Sequence, residues 1–313
     1  MATAILILNY NTASDTVACI QSIEAYNSAP INYIVVDNGS SDRDGIGLLD
    51  EFFKQSGKSY SKMSDTDTPA SPLPYFSFLV SQDNDGYARG NNKGLRIAFS
   101  DPGIKNILII NSDILFTEDM IPALIHILDI KPDCGFVTPL VISRWGTVDH
   151  TCARKAPTNW EVILLFLMMR KKWFNILSKI DARQKILRER PELLEQPVFP
   201  VDTPSGACML IEKDLMERIG GFDPNTFLYY EENILFKKLN AVSKNSYCTP
   251  IVRCTHLGAG STQQLSTVFL KRCNLNSADY YLSNYGNMSF FQRVAWKTAK
   301  VLWNAKLRAS RSK

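Results

Sequence analysis

The first 140 residues alternate short apolar runs, rich in β-branched residues, with longer amphipathic stretches. This alternation is typical of βαβ units, in which a helix returns the chain to the same end of a parallel sheet. It predicts an α/β fold with a mainly parallel sheet flanked by helices. The predicted elements are strands at residues 4–8, 32–37, 76–81 and 107–111, a helix N-capped by Ser14, helices at 42–53, 92–99 and 117–129, and a polar surface loop at 54–74.

The rest of the chain is less regular, and it contains no internal repeat. The remaining predicted segments are a strand at residues 135–142, an insertion at about 145–200, a buried strand at 205–211, a helix at about 231–242 and a basic tail at 263–313.

Neither the N-terminus nor any internal segment predicts export or membrane crossing. The residues before the first strand lack the basic leader of a signal peptide, and the longest apolar run, residues 162–169, is far shorter than the ~20 residues that cross a bilayer. The seven cysteines are scattered without a Cys-x-x-Cys motif, which argues against a disulfide framework or a zinc site. These features predict a protein of the reducing cytosol.

Polar residues follow the first two predicted strands, at the edge where open α/β sheets bind ligands. Asn9 and Asn11 follow the first strand without the glycines of a dinucleotide-binding turn, and the chain has no Gly-x-x-x-x-Gly-Lys phosphate loop. Asp37 and Asn38 follow the second strand, where a carboxylate can accept hydrogen bonds from a base or ribose. An Asn-Gly turn before the helix-capping Asp42 explains the same residues without a ligand.

The segment after the third strand combines two glycines with paired asparagines just before the helix predicted at 92–99. Backbone N–H groups at a helix N-terminus bind phosphate, although a polar, glycine-rich connector is an equal alternative. The candidates in this segment are Asn84, Gly86, Tyr87, Arg89, Asn91 and Asn92.

The fourth strand ends in Asn111, Ser112 and Asp113. A carboxylate at this sheet edge suits a hard divalent cation that bridges a diphosphate, and a helix cap is the alternative.

Taken in order, these segments resemble the nucleotide-sugar half of the family-2 inverting glycosyltransferases, which have the GT-A fold. Among them, the combination looks most like bacterial rhamnosyltransferases that build O-antigen or other cell-surface polysaccharide. The resemblance implies a catalytic domain at residues 1–262, with a nucleotide-sugar-binding half at 1–133 and an acceptor and catalytic half at 134–262. The downstream segments that carry it are Ser-Gly-Ala at 205–207, Gly-Gly-Phe-Asp at 220–223, Phe-Leu-Tyr-Tyr-Glu-Glu at 227–232 and His-Leu-Gly-Ala-Gly-Ser-Thr at 256–262.

The resemblance assigns donor and metal roles to individual residues. Asp37 would bind the nucleotide base, with Asn9 and Asn84 nearby. Asp113 stands at the last acidic position of the family's Asp-x-Asp motif and would coordinate Mg²⁺ or Mn²⁺, while Asn111 replaces the first acidic residue. The other residues placed at the nucleotide-sugar or the metal are Asn11, Asn38, Gly86, Tyr87, Arg89, Asn91, Asn92, Ser112, Ser205 and Gly206 for the donor, and His256 for the metal.

Inverting transfer needs one carboxylate that accepts the proton of the attacking hydroxyl. Glu232 aligns with the aspartate of the family's Glu-Asp pair and is the predicted base, while Glu231 could share or replace that role. Acidic residues in a first helical turn also complement the helix dipole without any catalysis. The family often has another Asp two positions after the pair, where this chain has Ile234.

The total net charge of +4 hides a strong asymmetry. Residues 1–232 contain 22 basic and 30 acidic residues, whereas residues 233–313 contain 13 basic residues and only Asp279 as an acid. The tail predicts an amphipathic helix on an anionic membrane surface, and the alternatives are a helix packed on the catalytic domain or nucleic-acid binding, which the acidic body disfavours. On a helical wheel one stripe contains Arg293, Lys297, Lys300 and Arg308, and the opposite side contains Val294, Ala295, Ala299, Leu302 and Trp303. The residues expected at the membrane interface are Phe291, Trp296 and Trp303. Residues 160–173 are predicted to form a second membrane contact or part of an acceptor pocket.

The resemblance thus implies a metal-dependent glycosyltransferase on the cytoplasmic face of the inner membrane. It would transfer L-rhamnose from dTDP-L-rhamnose to a polyprenyl-diphosphate-linked oligosaccharide, without binding nucleic acid. Another donor, such as a UDP-hexose or UDP-galactofuranose, is an alternative. A nucleotidyltransferase would need a basic triphosphate loop near the first strand, which is absent. A non-catalytic assembly protein would follow if Asn111 and Ile234 disable the site.

Overall fold

The computed structural model describes residues 1–168, 184–258 and 265–309. In its first half, buried β-branched runs form strands separated by helices, as the alternation predicts. The strands of this half are β1 (Ala2–Asn9), β2 (Ile31–Asp37), β3 (Tyr60–Ser64), β4 (Phe76–Val80), β5 (Ile104–Asn111) and β6 (Ile114–Phe116); the helices are α1 (Ala13–Tyr26), α2 (Arg43–Gln55), α3 (Gly86–Phe99) and α4 (Ile121–Ile130).

The second half adds four strands to the same sheet, forms a separate two-stranded sheet and adds helices. Its strands are β7 (Cys134–Ser143), β8 (Ala153–Arg154), β9 (Phe199–Val201), β10 (Thr203–Pro204), β11 (Cys208–Glu212) and β12 (Asn245–His256); its helices are α5 (Asn159–Leu167), α6 (Ile186–Glu189), α7 (Lys213–Arg218), α8 (Glu231–Ala241), α9 (Thr267–Asn284) and α10 (Phe290–Ala309), with short 3₁₀ turns at His150–Cys152 and Pro191–Glu195.

The central sheet has the order β3-β4-β2-β1-β5-β11-β7-β12-β6, and β9 pairs with β12. The strands from β3 to β5 are all parallel, whereas β11 runs antiparallel to both β5 and β7. The carboxyl ends of β1, β2, β4 and β5 therefore meet at one edge. Apolar side chains pack on both faces of the sheet, so the predicted mixed α/β fold with a mostly parallel sheet is confirmed.

Three local predictions are wrong. Residues 54–74 are not all loop, because β3 pairs in parallel with β4 at the edge of the sheet. Helix α1 begins at Ala13 after Thr12, so Ser14 lies inside it and is not its N-cap. Helix α3 begins at Gly86 rather than near residue 92, because its glycines are packing positions: a Cβ on Gly90 would lie 2.7 Å from Leu8 of β1.

The C-terminal helices pack on the rest of the protein. Phe166 of α5 contacts the rings of Trp296 and Trp303 of α10, and the indole N–H of Trp296 donates a 2.7 Å hydrogen bond to Asp279 of α9. Trp296 is only 2% exposed, so its predicted place at a membrane interface is wrong. The division of the chain near residue 262 stays a prediction, because residues 259–264 lie outside the described part.

Within the described ranges, no helix combines the length and apolar character needed to cross a membrane.

Candidate active site

A cavity of about 590 Å³ opens at the carboxyl ends of the parallel strands. It extends from the sheet edge to strand β8, helix α5 and the start of α8. The predicted site residues that line it are Asn38, Asn84, Gly86, Tyr87, Asn111, Ser112, Asp113, Ser205, Gly206, Glu231, Glu232 and His256.

We call the lining residues that follow the parallel strands the sheet side of this cavity. They are Asn38, Asn84, Gly86, Tyr87, Asn111, Ser112 and Asp113. On this side Asn38 donates from Nδ2 to Oδ1 of Asn84 at 3.0 Å and to the carbonyl of Gly86 at 3.1 Å. The backbone N–H of Tyr87 donates to the carbonyl of Phe227 at 2.8 Å. Gly86 has a φ of +79°, and a Cβ there would overlap the Phe227 backbone, so a side chain would break this junction.

Asp37 and Asn9 lie in a buried network beside the sheet side rather than among the lining residues. Asn9 donates to Oδ2 of Asp37 at 2.7 Å, while the backbone N–H of Ser40 donates to Oδ1 of Asp37 at 3.0 Å. Oδ1 of Asn9 accepts from the hydroxyls of Thr12 and Thr16. The network holds the turn after β2 against that after β1, and base binding by Asp37 stays a prediction.

Besides Asn9 and Asp37, four further predicted donor-binding residues do not line the cavity, and the early start of α3 explains three of them. Asn91 is fully buried and donates to the carbonyl of Tyr87, while Asn92 exchanges hydrogen bonds with the backbone of Phe222. Arg89 donates to the carbonyl of Pro224. The fourth is Asn11, whose Oδ1 accepts from the backbone N–H of Asp42 at 3.1 Å and so ties β1 to α2.

Asp113 and His256 come together in the cavity from two different strand ends. Nε2 of His256 lies 3.3 Å from Oδ1 of Asp113, and Nδ1 lies 3.8 Å from Oδ2 of Asp149. Burial lowers the pKa of His256, but the two carboxylates outweigh it and raise the pKa to about 10. The same contact with His256 lowers the pKa of Asp149 to about 2. Asp149 belongs to the predicted insertion, and no motif in the sequence marked it.

A divalent cation would bind between Asp113 and His256 by replacing the proton of the imidazolium, because a carboxylate oxygen and an imidazole nitrogen converge on the cavity. The described residues contain no group of three or more His, Cys, Asp and Glu that could hold a metal ion. The oxygen atoms of a diphosphate would therefore have to complete the coordination of the cation. The flanking residues 259–262, part of the same sequence motif, lie outside the described part.

The two glutamates at the start of α8 have different surroundings. Glu231 is buried, and its Oε1 has no hydrogen-bond partner. Burial, and then the charge of Glu232, raises the pKa of Glu231 to about 8. Glu232 is half-buried, and its Oε1 would lie 2.5 Å from a Cβ on Gly206, so this glycine is what admits the carboxylate.

Tyr87 closes the cavity beside this pair. Its hydroxyl donates to the carbonyl of Gly206 at 2.7 Å, and burial followed by the charges of both glutamates raises its pKa well above the usual range. Tyr230, the N-cap of α8, has a φ of 71°, a left-handed conformation that bulky residues rarely adopt. Ile234, where the family often has an aspartate, is fully buried in the apolar cluster with α5 and α10.

The predicted insertion also reaches the cavity, at a place that no motif indicated. We call Arg154, Pro157, Val162, Leu165 and Gln184 the insertion side. Residues 169–173, part of the stretch predicted as an acceptor pocket or a second membrane contact, lie outside the described part.

Comparison with known sequences finds one matching family and several distant relatives. The sequence profile of Glycosyl transferase family 2 matches residues 4–189, more than half of the chain. A relative from Haloferax volcanii, "Low-salt glycan biosynthesis hexosyltransferase Agl10", is 22% identical over 229 residues, covering 73% of this chain but only 58% of the relative. A Mycobacterium tuberculosis relative, "N-acetylglucosaminyl-diphospho-decaprenol L-rhamnosyltransferase", is 22% identical over 251 residues, covering 78% of this chain and 72% of the relative.

Solved structures share the fold. The mannosyltransferase PcManGT from Pyrobaculum calidifontis, in complex with GDP-Man and Mn²⁺, superposes with a TM-score of 0.53 at 15% identity and covers 98% of this chain and 75% of its own. GalNAc-T7 with UDP, GalNAc and Mn²⁺ gives a TM-score of 0.59 at 12% identity, covering 98% of this chain and 55% of its own. At these identities the likeness establishes the GT-A fold alone.

Proposed function

Because this chain belongs to glycosyl transferase family 2, we propose that it transfers a sugar from a nucleotide-sugar to an acceptor hydroxyl, with inversion at the anomeric carbon. The observation that carries the proposal is that Asp113, His256 and the Glu231–Glu232 pair line the same cavity. One part of it suits a cation-bound diphosphate, and the other supplies a carboxylate for the attacking hydroxyl.

Glu232 is the proposed base. The acceptor oxygen bonds to the anomeric carbon, its proton passes to the Glu232 carboxylate, and the bond from that carbon to the diphosphate oxygen breaks, which releases the nucleoside diphosphate. Glu231, with a pKa of about 8, holds its own proton at neutral pH and so cannot accept another. The more accessible Glu232 is therefore better suited to the role, and Gly206 leaves room for it.

The sheet side is the proposed donor site. Asn38, Asn84 and Tyr87 would orient the nucleotide, and Ser112 would approach the diphosphate. Asp113 and His256 would hold Mg²⁺ or Mn²⁺, which stabilises negative charge on a departing diphosphate. Ser205 and Gly206 would lie next to the transferred sugar.

For the donor, dTDP-L-rhamnose is the first candidate, because one relative carries L-rhamnosyl transfer in its name. A UDP-hexose or UDP-galactofuranose is the alternative, supported by the hexosyltransferase relative. The proposed acceptor is a polyprenyl-diphosphate-linked oligosaccharide of O-antigen or a similar polysaccharide.

The proposed location is the cytoplasmic face of the inner membrane, reached through α10. The inner face of this helix packs on the body through Trp296 and Ala299, and Lys300 pairs with Asp279 at 2.8 Å. The outer face is apolar and bordered by basic residues, a combination that suits an anionic lipid surface. The exposed apolar residues are Phe290, Phe291, Val294, Val301 and Leu302, and the bordering basic residues are Arg293, Lys297 and Arg308.

The test is turnover of Glu232→Gln with a panel of nucleotide-sugars, measured as nucleoside diphosphate release with acceptor and Mg²⁺ or Mn²⁺ present. We expect a loss of about 10²- to 10⁴-fold, because the proton has no acceptor, while thermal shift shows that donor binding is retained.

Glu217→Gln is the matched control, since Glu217 is exposed on α7 and does not line the cavity. Wild-type turnover by Glu232→Gln would contradict its role as the base. Absence of sugar transfer by the wild-type chain with every donor in the panel would contradict the proposed function itself.

A further inference from the structure

Two nitrogen donors on the insertion side of the cavity are buried without a hydrogen-bond partner. They are Nε of Arg154, the last residue of β8, and Nε2 of Gln184. Both side chains line the cavity. A buried donor without an acceptor costs about 1–3 kcal/mol, so two such donors on residues that line one cavity indicate an acceptor group that the described residues do not supply.

The guanidinium also carries an uncompensated charge. Among the described residues Arg154 forms no ion pair, whereas its neighbour Lys155 lies 3.4 Å from Glu189. The backbone of Arg154 is fixed, since β8 pairs with β10 and the Arg154 carbonyl accepts from the N–H of Asp202 at 3.1 Å. The missing acceptor is therefore anionic, and a planar guanidinium matches two oxygens of a phosphate group.

The remaining residues of this side are apolar. Leu165 belongs to α5, and Pro157 precedes that helix; both are partly exposed, whereas Val162 of α5 is fully buried. Another side chain of α5, Phe166, packs on Trp296 and Trp303 of α10, the helix whose outer face is apolar and basic. The cavity thus places the Arg154 side chain beside an apolar surface. Helix α5, which contributes to this surface, contacts α10.

We propose that Arg154 and Gln184 bind the diphosphate of a prenyl-diphosphate-linked acceptor, whose hydrocarbon chain contacts Pro157 and Leu165. The inference rests on the proposed function, because it assigns a site to the acceptor of that transfer. The donor diphosphate is assigned to Asp113 and His256, which come from the central sheet, whereas Arg154 lies on the separate two-stranded sheet of β8 and β10. The positively charged site at Arg154 therefore needs an anion other than the donor diphosphate.

The experiment measures equilibrium binding of farnesyl diphosphate, a short prenyl diphosphate, by calorimetry to the full chain. We expect Arg154→Gln to weaken this binding at least about tenfold, Arg154→Lys to weaken it less, and Gln184→Leu to give a smaller loss than Arg154→Gln. Farnesol, which lacks the anion, should bind weakly and equally to wild type and Arg154→Gln. Arg190→Gln is the matched control, since Arg190 pairs with Glu192 at the surface.

A second titration separates the two sources of diphosphate. With Mg²⁺ present, dTDP and UDP should bind Arg154→Gln within about twofold of wild type, because their diphosphate belongs to the sheet side. The proposal is overturned if Arg154→Gln binds farnesyl diphosphate like wild type, if it loses the nucleotides as strongly, or if wild type binds no farnesyl diphosphate at about 1 mM. None of these readouts depends on turnover, so a failed Glu232 test and a failed Arg154 test are distinguishable.

Discussion

The sheet side and the insertion side of the cavity differ in how their polar atoms are satisfied. On the sheet side, Asn38 already donates to Asn84 and Gly86, and Ser112 shares a 2.9 Å hydrogen bond with Thr12. On the insertion side, Arg154 and Gln184 have buried nitrogens without partners. The polar atoms of the first region are satisfied within the protein, whereas we propose that a ligand satisfies those of the second.

This difference predicts what a substitution costs in each region. Removing a polar group from the network around the sheet side leaves its protein partners unsatisfied, so the loss appears in folding stability. Removing a polar group that has no protein partner leaves nothing unsatisfied, so the loss appears in ligand binding. Stability and binding measurements on matched variants therefore test whether the two regions differ in this way.

The largest stability effect is expected for Asp37→Ala. Asp37 is fully buried and accepts hydrogen bonds from Asn9, from the Ser40 N–H and from the Ser40 hydroxyl. Its loss leaves these buried donors without an acceptor, and we expect the free energy of unfolding in urea to fall by about 3 kcal/mol.

The control is Asp214→Ala, an exposed carboxylate on α7, which should change stability by less than about 0.5 kcal/mol. The proposed difference between the two sides is contradicted if Asp37→Ala is as stable as wild type, or if Arg154→Gln loses as much stability as Asp37→Ala.

A smaller effect, dependent on pH, is expected for Glu231→Gln. The pKa of Glu231 is about 8 in the folded chain, above its ordinary value of 4.5. The native state therefore keeps a proton that the unfolded chain releases, and the free energy of unfolding falls as the pH rises from about 4.5 to about 8. Glutamine cannot ionise, so the variant should lose this slope and melt about 4 °C above wild type at pH 8.5, with a smaller difference at pH 5.

Differential scanning calorimetry at both pH values checks this, with Glu217→Gln as the control for removing a surface carboxylate. The same pH dependence in wild type and Glu231→Gln would show that Glu231 is ionised in the folded protein at neutral pH. That result would make both glutamates candidates for the base.

Sequence patterns located the central strands because each is a buried, β-branched run. They missed β3, because this edge strand is partly exposed and polar, and its order comes from pairing with β4. They also placed the start of α3 too late. Glycines argue against a helix locally, but Gly90 and Gly94 bring α3 close to Leu8 and Leu6, and tertiary packing overrides the propensity.

The candidate site shows the same division. Residues at strand ends could be predicted, because parallel strands deliver their carboxyl ends to one edge. Asp149, Arg154 and Gln184 could not, because they come from an insertion without a motif and only the pairing of β8 with β10 brings Arg154 to the cavity. Whether a tail residue faces the body or the solvent also depends on rotation about the helix axis, and Trp296 proved to be buried.

The smallest effect is expected on the outer face of α10, with the double variant Phe290→Ser and Phe291→Ser. Both rings are about three-quarters exposed, at 74% and 75%, so their loss should leave the melting temperature unchanged. Binding to vesicles with anionic phospholipid should weaken about fivefold, roughly 1 kcal/mol, because apolar area no longer enters the interface while the basic residues remain. Tyr26→Ser, at 49% exposure on α1, controls for loss of an exposed aromatic ring elsewhere. Equal vesicle binding by the double variant and wild type would contradict membrane binding by α10, and the apolar surface formed by Pro157 and Leu165 would then have to receive its ligand from solution.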